Sequence, residues 1–475
     1  TPAPKKPTKK KGEEEDKEAP QVAPPAVPSR DEGGIPLGGR MTAFAPAYEE
    51  VFPENSLLSG IARNGLFIKA RPIPRHLRQP RETAMDEVRA TLIREEIRDL
   101  LEQGVIERVP MLNVTHQFLA YSSMILVPKP HSTKLRPCLD LSRVNEFIPN
   151  ESFKMEGLWT VKDLLREGDF MVKVDIKGAY WQVPIALECR DLFRFSFEGE
   201  SFRHVGMPMG VNVAPRIFTR MMRSLFSALR QAGVRMVVYL DDILVMGSSK
   251  EEAEEHGASV ANRLLRLGWL LNWEKSVLIA SQTIEFLGWT LDSSSMSIAL
   301  PPHRRGRIRR LLQVARTQRA LSKRRLSSLM GMLNSTGEAI ALQRAFSQEL
   351  MRELRNARGH WDAQIKLGEK ALAQCALWEE LMDHWNGRSI VRPEPQVWLT
   401  TDASPWGWGA WICGTDGVEI WSTCGHFSVS EAAYHINVKE LLTVVLATRA
   451  AGPLLREKQL LLRTDNTVCL CRRPA

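Results

Sequence analysis

Tyr239-Leu240-Asp241-Asp242 constrains this chain more than any other stretch. Two adjacent carboxylates stand between two apolar runs, Met236-Val237-Val238-Tyr239-Leu240 and Ile243-Leu244-Val245-Met246. Both runs read as buried strands, with the acids at the tip of a tight hairpin. Such a tip holds two acidic side chains close together on a rigid support. That suits a divalent cation, which takes hard oxygen ligands. Asp is also frequent in ordinary turns, so the pair alone would leave the plainer reading ahead.

A third carboxylate lies upstream. Phe170-Met171-Val172-Lys173-Val174-Asp175-Ile176 reads as a strand closing on Asp175, and Gly178-Ala179-Tyr180 permits a close turn after it. If this strand lies beside the hairpin, Asp175 faces Asp241 and Asp242. Three such acids can hold two metal ions about 3.5–4 Å apart, an arrangement that clamps both oxygens of a phosphoryl transfer. Between them, Gly206-Met207-Pro208-Met209-Gly210 turns into a helix at Ala214-Pro215, as suits close contact with a base or phosphate.

In order and spacing these segments resemble successive motifs of retroelement reverse transcriptases. The flanks agree: Val127-Pro128-Lys129-Pro130 and Lys134-Leu135-Arg136-Pro137 resemble the fingers segment that grips the incoming triphosphate. Asn272-Trp273-Glu274-Lys275-Ser276 and Phe286-Leu287-Gly288-Trp289 resemble the later lysine motif and the primer grip. The resemblance implies that Asp175, Asp241 and Asp242, with the carbonyl of Ile176, bind two Mg²⁺ ions, with Mn²⁺ as a substitute. Lys129 and Arg136 would neutralise the triphosphate of a dNTP. Tyr180 would lie under the sugar as a steric gate, Met209 and Gly210 at the nascent base pair, and Lys275 near the leaving pyrophosphate. Without the motif, Tyr180 reads as a packed tyrosine and Lys275 as a surface lysine.

A second set of acids follows. Asp402 closes the strand-like Val397-Trp398-Leu399-Thr400-Thr401, Glu440 lies in a stretch of helical composition, and Asp465 closes Leu460-Leu461-Leu462-Arg463-Thr464. The order strand-Asp, helix-Glu, strand-Asp resembles ribonuclease H, where the acids would bind two metals and cleave RNA in RNA–DNA hybrids. That domain normally continues through further helices, so it is expected to be C-terminally incomplete here. Trp406-Gly407-Trp408-Gly409-Ala410-Trp411 and His435-Ile436-Asn437-Val438-Lys439-Glu440-Leu441 most resemble the DIRS group of retrotransposons, which implies a tyrosine recombinase as a partner protein.

The net charge is +9, and residues 1–33 contribute nothing to it, with seven basic and seven acidic residues. The excess belongs to the folded body, as a nucleic-acid partner requires. Arg304, Arg305, Arg307, Arg309 and Arg310, then Lys323, Arg324 and Arg325, follow the primer-grip segment. They read as a solvated helix face or, in that position, as the surface that follows a template-primer backbone. No apolar run approaches the ~20 residues that span a membrane. The seven cysteines form no CxxC pair, which fits a reduced intracellular setting.

The expected architecture is α+β and multidomain: a right-hand polymerase of fingers, palm and thumb, then a truncated α/β ribonuclease H-like domain. Its divisions are a disordered tail (1–40), an N-terminal extension (41–82), fingers and palm (83–290), thumb (291–345), a helical connection and hinge (346–395) and the ribonuclease H-like part (396–475). Within it, residues 83–109 read as a helix with Gly104 as its cap. Two other readings stay open: a catalytically inactive polymerase-fold scaffold that binds nucleic acid, and a decayed element copy.

Overall fold

The computed structural model describes residues 34–52, 56–80, 85–111, 117–128, 135–341, 343–391 and 394–466. The expected tail at 1–33 and Lys129 therefore lie outside the described residues, as does part of the expected hinge, Arg392-Pro393. The chain divides into two compact units, 1–389 and 390–475. Among the described residues no helix is long and apolar enough to cross a membrane.

The centre of the first unit is a four-stranded antiparallel sheet. Its strands run in the order Arg235–Tyr239, Asp242–Gly247, Phe170–Asp175, Val277–Ser281. Alternation along Phe170–Asp175 sends Val172 and Val174 to one face, and Lys173 and Asp175 to the other. The apolar face is covered by the helices Ala214–Leu225 and Lys250–Arg266, through Phe218, Met222, Val260 and Leu264. Gly257 allows the second helix to lie close: a Cβ there would sit 2.6 Å from a methyl of Val172.

Beside it stands a five-stranded sheet in the order Ile106–Val109, Glu200–His204, Arg194–Phe197, Tyr121–Pro128, Leu135–Asp140. Its apolar face packs on the helix Glu87–Glu102 through Ile93, Ile97, Leu100, Met124, Phe195 and Phe202. That helix is shorter than the sequence suggests. Asp86 caps its start by accepting from the Arg89 amide at 2.9 Å, and Gly104, at φ +64°, turns the chain into the strand at Ile106.

Residues 34–40 depart from the expected disordered tail. Leu37 and Arg40 are buried. The Gly38 amide donates to the Gln103 carbonyl (3.0 Å), the Gly39 amide to the Trp181 carbonyl (2.8 Å) and the Arg40 Nε to the Gly268 carbonyl (2.7 Å). A Cβ at Gly38 would lie 2.0 Å from the Gly104 carbonyl oxygen, so only glycine passes. The low hydrophobicity of this stretch hid a strap held by glycine backbone hydrogen bonds, the Arg40 side chain and the buried Leu37.

After the central sheet come a hairpin, Thr283–Phe286 with Trp289–Asp292, and the helices Pro302–Gln318, Lys323–Asn334, Gln348–Asn356 and Glu369–Trp385. These helices share a core of Leu312, Leu326, Leu329, Leu350, Cys375 and Trp378.

The C-terminal unit has its own sheet, ordered Glu419–His426, Gly407–Gly414, Val397–Ala403, Leu460–Arg463, with the last pair parallel. The helix Ile436–Ala450 packs on it, and Leu399, Ile412 and Ala447 form the core.

Candidate active site

The carboxylates of the first unit meet where three strands end. Asp175 and Asp242 are register partners on neighbouring strands, and Asp241 occupies the two-residue turn. The turn closes on Leu240 at φ +54°, a left-handed conformation costing a branched side chain on the order of 1–3 kcal/mol. The Asp241 carbonyl accepts from the Ile176 amide at 2.9 Å, which ties the hairpin tip to the strand carrying Asp175. Asp175 is held at both backbone ends. Its amide donates to Ser276 Oγ at 3.0 Å, and its carbonyl accepts from Asn272 at 2.8 Å. The same loop brings Lys275 to the cleft wall.

Burial raises the Asp175 carboxyl to about 6, with the charges of Asp242 and Asp241 adding to it and Lys275 and Lys173 opposing it. Asp241 reaches solvent at its tip, yet desolvation by the cleft walls, then Asp242, raise its carboxyl too. Three acids on one face, two of them resisting ionisation, form a set of hard oxygens short of positive charge. They fit a divalent cation. One partner was missed by sequence reasoning: Lys173 Nζ lies 2.8 Å from Asp242 Oδ1, both side chains being largely shielded. The signal was available, because Lys173 precedes Asp175 by two residues and so shares its face.

Asp175 and Asp241 open onto a cleft of about 660 Å³, lined also by Tyr180, Met209, Gly210, Asn272 and Lys275. The Tyr180 ring packs edge-on against Phe218 at 5.4 Å, and Phe218 against Trp269 at 5.7 Å. The Tyr180 hydroxyl is buried without a partner, and desolvation, then Asp241, push its pKa up. Met209 is exposed at the cleft, and Gly210 has φ +95°. Asn145 fixes this turn, giving its side-chain N–H to the Gly210 carbonyl (2.9 Å) and accepting from the Asn212 amide (3.0 Å). Arg136 lies on the strand Leu135–Asp140, opposite Val127. Ile176 is buried beside the acids.

Phe286, Leu287, Gly288 and Trp289 form a hairpin tip. Phe286 is fully buried, and Leu287 and Gly288 both have positive φ, +50° and +73°, as a tight two-residue turn demands. The basic cluster is more engaged than expected. Arg305 and Arg309 both bind Asp383, at 2.6 and 2.7 Å, and Arg324 binds Asp362 at 3.0 Å. Lys323 donates to the Ala357 carbonyl and lies over the Trp361 ring. Arg304 is taken up by the hairpin tip and Ser335. Arg307, Arg310 and Arg325 are exposed. Ion pairs with exposed carboxylates contribute little, because solvent screens them, so those of Arg305, Arg309 and Arg324 can be given up to a phosphate. Sequence order could not reveal these partners, since they lie 38 to 78 residues away.

In the C-terminal unit, Asp402, Glu440 and Asp465 come together with ligand oxygens all within 4.8 Å. Parallel pairing of Val397–Ala403 with Leu460–Arg463 brings the two strand ends side by side, and the helix supplies Glu440 from above. Glu440 is buried. One oxygen accepts from the Ala403 amide at 3.3 Å, and the other has no partner. Desolvation, then Asp465 and Asp402, raise its carboxyl above the usual range. An unpartnered buried oxygen between two further carboxylates fits a bound cation.

The first unit thus carries two sheets, a helical layer and acids at a hairpin tip, and the second carries its own acid triad. Comparisons with known proteins bear on both. Residues 127–291 match the family model described as reverse transcriptase (RNA-dependent DNA polymerase). Residues 392–471 match the RNase H-like domain found in reverse transcriptase. The chain carries a reverse transcriptase domain followed by an RNase H-like domain. It is similar to the enzymatic polyproteins of cauliflower mosaic virus (strain Strasbourg), 24% identical over 382 residues, and figwort mosaic virus (strain DxS), 25% over 377; each match covers 78% of this chain and 53% of the relative. The chain thus spans about half the length of these curated relatives. Its fold is similar to the foamy viral protease-reverse transcriptase solved with an RNA/DNA hybrid, at TM-score 0.58 and 20% identity, covering 82% of this chain and 50% of that one. The same protein with dsDNA gives TM-score 0.57 and 20% identity, covering 90% and 91%.

Proposed function

We propose that this protein is the RNA-directed DNA polymerase of a retrotransposon, extending a primer with dNTPs on an RNA or DNA template, with an attached ribonuclease H-like domain directed at RNA in hybrids. The observation that carries this reading is the register pairing of Asp175 with Asp242 beside Asp241, at the floor of a cleft lined by Tyr180, Met209 and Lys275. Asp175, Asp241 and Asp242, with the Ile176 carbonyl, would hold Mg²⁺, for which Mn²⁺ can substitute. When bound, such ions activate the attacking hydroxyl and stabilise the leaving oxygen.

The chain's own residues do the rest. Tyr180, its ring braced by Phe218, fills the space under the sugar and excludes a 2′-hydroxyl. Met209 and Gly210, on a turn fixed by Asn145, present an apolar surface and bare backbone to the new base pair. Lys275, with Lys129 and Arg136, offers positive charge to the triphosphate as it develops negative charge. Asp402, Glu440 and Asp465 form the second metal site.

The resemblance of the Trp406–Trp411 and His435–Leu441 segments supports reading the element as one of the DIRS group, with a tyrosine recombinase as its companion. A recombinase frame in the same element would support this; an integrase in its place would refute it. The polymerase reading is tested by primer extension on an RNA template with Mg²⁺ and dNTPs. Extension is expected. Tight template-primer binding without extension would favour the inactive scaffold instead.

A further inference from the structure

Arg304 stands in the first turn of the helix Pro302–Gln318, at the end where the helix dipole disfavours a cation. Its surroundings explain the position. Nη1 donates to the Gly288 carbonyl at 2.7 Å, Nη2 donates to Ser335 Oγ at 3.0 Å, and the guanidinium lies 4.8 Å over the Trp289 ring. Ser335 is the residue that ends the helix Lys323–Asn334, and it donates in turn to the Met332 carbonyl at 2.7 Å. The cation therefore sits at the favourable, negative end of that second helix. One planar side chain joins three elements: the tip of the Thr283–Asp292 hairpin, the start of one helix and the end of the next. The other arginines of the cluster differ. Arg305, Arg309 and Arg324 pair with exposed carboxylates, whereas Arg304 spends its donors on a backbone carbonyl and a hydroxyl.

We propose that Arg304 is a positioning residue. It fixes the hairpin tip Leu287–Gly288 to the helical layer, and so sets where the primer terminus lies relative to Asp175 and Asp241; it does not bind the duplex backbone. This rests on the polymerase reading only for its kinetic consequence. The turn at Leu287–Gly288 has left-handed backbone at Leu287, and the Arg304 donation to the Gly288 carbonyl braces it from outside the hairpin. Lysine cannot replace this brace. It carries the charge but lacks the fork that reaches two acceptors while lying flat on an indole.

The test uses the full chain with Arg304→Ala, Arg304→Lys and Ser335→Ala. Three quantities are read: amide hydrogen exchange across Thr283–Asp292, the salt dependence of template-primer affinity, and the single-turnover rate of nucleotide addition at saturating dNTP. Arg304→Ala is expected to speed exchange within the hairpin while distant strands keep their protection. It should leave the slope of log Kd against log salt unchanged, and lower the addition rate by about 10- to 100-fold, as an ångström-scale misplacement does. Arg304→Lys should recover only part of the rate, and Ser335→Ala should lose a few-fold by the same reasoning. A slope reduced by about 0.9 in Arg304→Ala would make Arg304 a direct phosphate ligand and overturn the proposal. Unchanged exchange in the hairpin, or an unchanged rate in a variant that is merely less stable, would overturn it as well. If the unmutated protein does not extend a primer, the polymerase reading fails, while exchange and salt slope still decide the role of Arg304.

Discussion

In the first unit Asp242 is paired with Lys173 at 2.8 Å, and Lys275 lines the cleft with its charge felt by Asp175. In the C-terminal unit the carboxylate oxygens crowd within 4.8 Å, and the neighbouring lysine, Lys439, is turned away to the Pro405 carbonyl. The two sets answer the same electrostatic problem in different ways. The palm acids are partly neutralised from within, so a cation entering there must displace or share with a lysine. The second triad has no such answer among its described contacts, and its buried Glu440 holds an unpartnered oxygen until a cation arrives. On the proposed polymerase function, pyrophosphate must leave with each cycle, and an exchangeable internal cation suits that better than a rigid cage.

The largest effect should come from breaking the palm set. Asp241→Asn is expected to reduce nucleotide addition by at least about 10³-fold while template-primer affinity stays within about threefold, since the charge lost lies at the reacting atoms and not along the duplex. Rapid-quench kinetics beside filter binding would check it. Glu440→Gln should separate the two sites. It is expected to leave primer extension unchanged and to abolish binding of a luminescent lanthanide at the second site. In metal-free buffer near neutral pH it should also raise the melting temperature of the C-terminal unit. The sign follows from its raised carboxyl: stability is lost as pH rises through the folded-state value, and glutamine removes that loss.

These outcomes bear on how much was legible beforehand. The acids were, because short apolar runs bounded by Asp mark strand ends at Asp175, Asp242, Asp402 and Asp465. The strap at Leu37–Arg40 was not, because two of its hydrogen bonds run through glycine backbone, which carries no pattern, and the Arg40 acceptor lies far along the chain. Lys173 was overlooked although alternation placed it beside Asp175. The basic cluster was legible as charge only. Whether an arginine meets a phosphate or Asp383 depends on a helix far along the chain.

His204 offers a smaller test, in the sheet that walls the cleft. It is buried, and desolvation lowers its imidazole from the usual 6.5 to about 4. The unfolded chain therefore binds a proton that the folded chain refuses. Its contribution is fully present above about pH 6.5 and is lost as pH falls toward 4, amounting to about 3 kcal/mol. Denaturant unfolding of the protein and of His204→Leu across that range should converge from different slopes; parallel curves would show that the ring is charged when folded.

The smallest effect is expected at Lys173. Lys173→Met should free Asp242 and lower the Mg²⁺ concentration for half-maximal extension several-fold, a change of about 1 kcal/mol. An unchanged or higher requirement would mean that Lys173 orders Asp242 for the ion rather than competing with it.

The most direct measurement is primer extension by Asp175→Asn beside the unmutated protein, on an RNA template at saturating Mg²⁺ and dNTP, with template-primer affinity measured on the same samples. The account predicts that extension is lost and affinity kept. Extension at an undiminished rate in the variant would contradict the assignment of Asp175, Asp241 and Asp242 as one catalytic set.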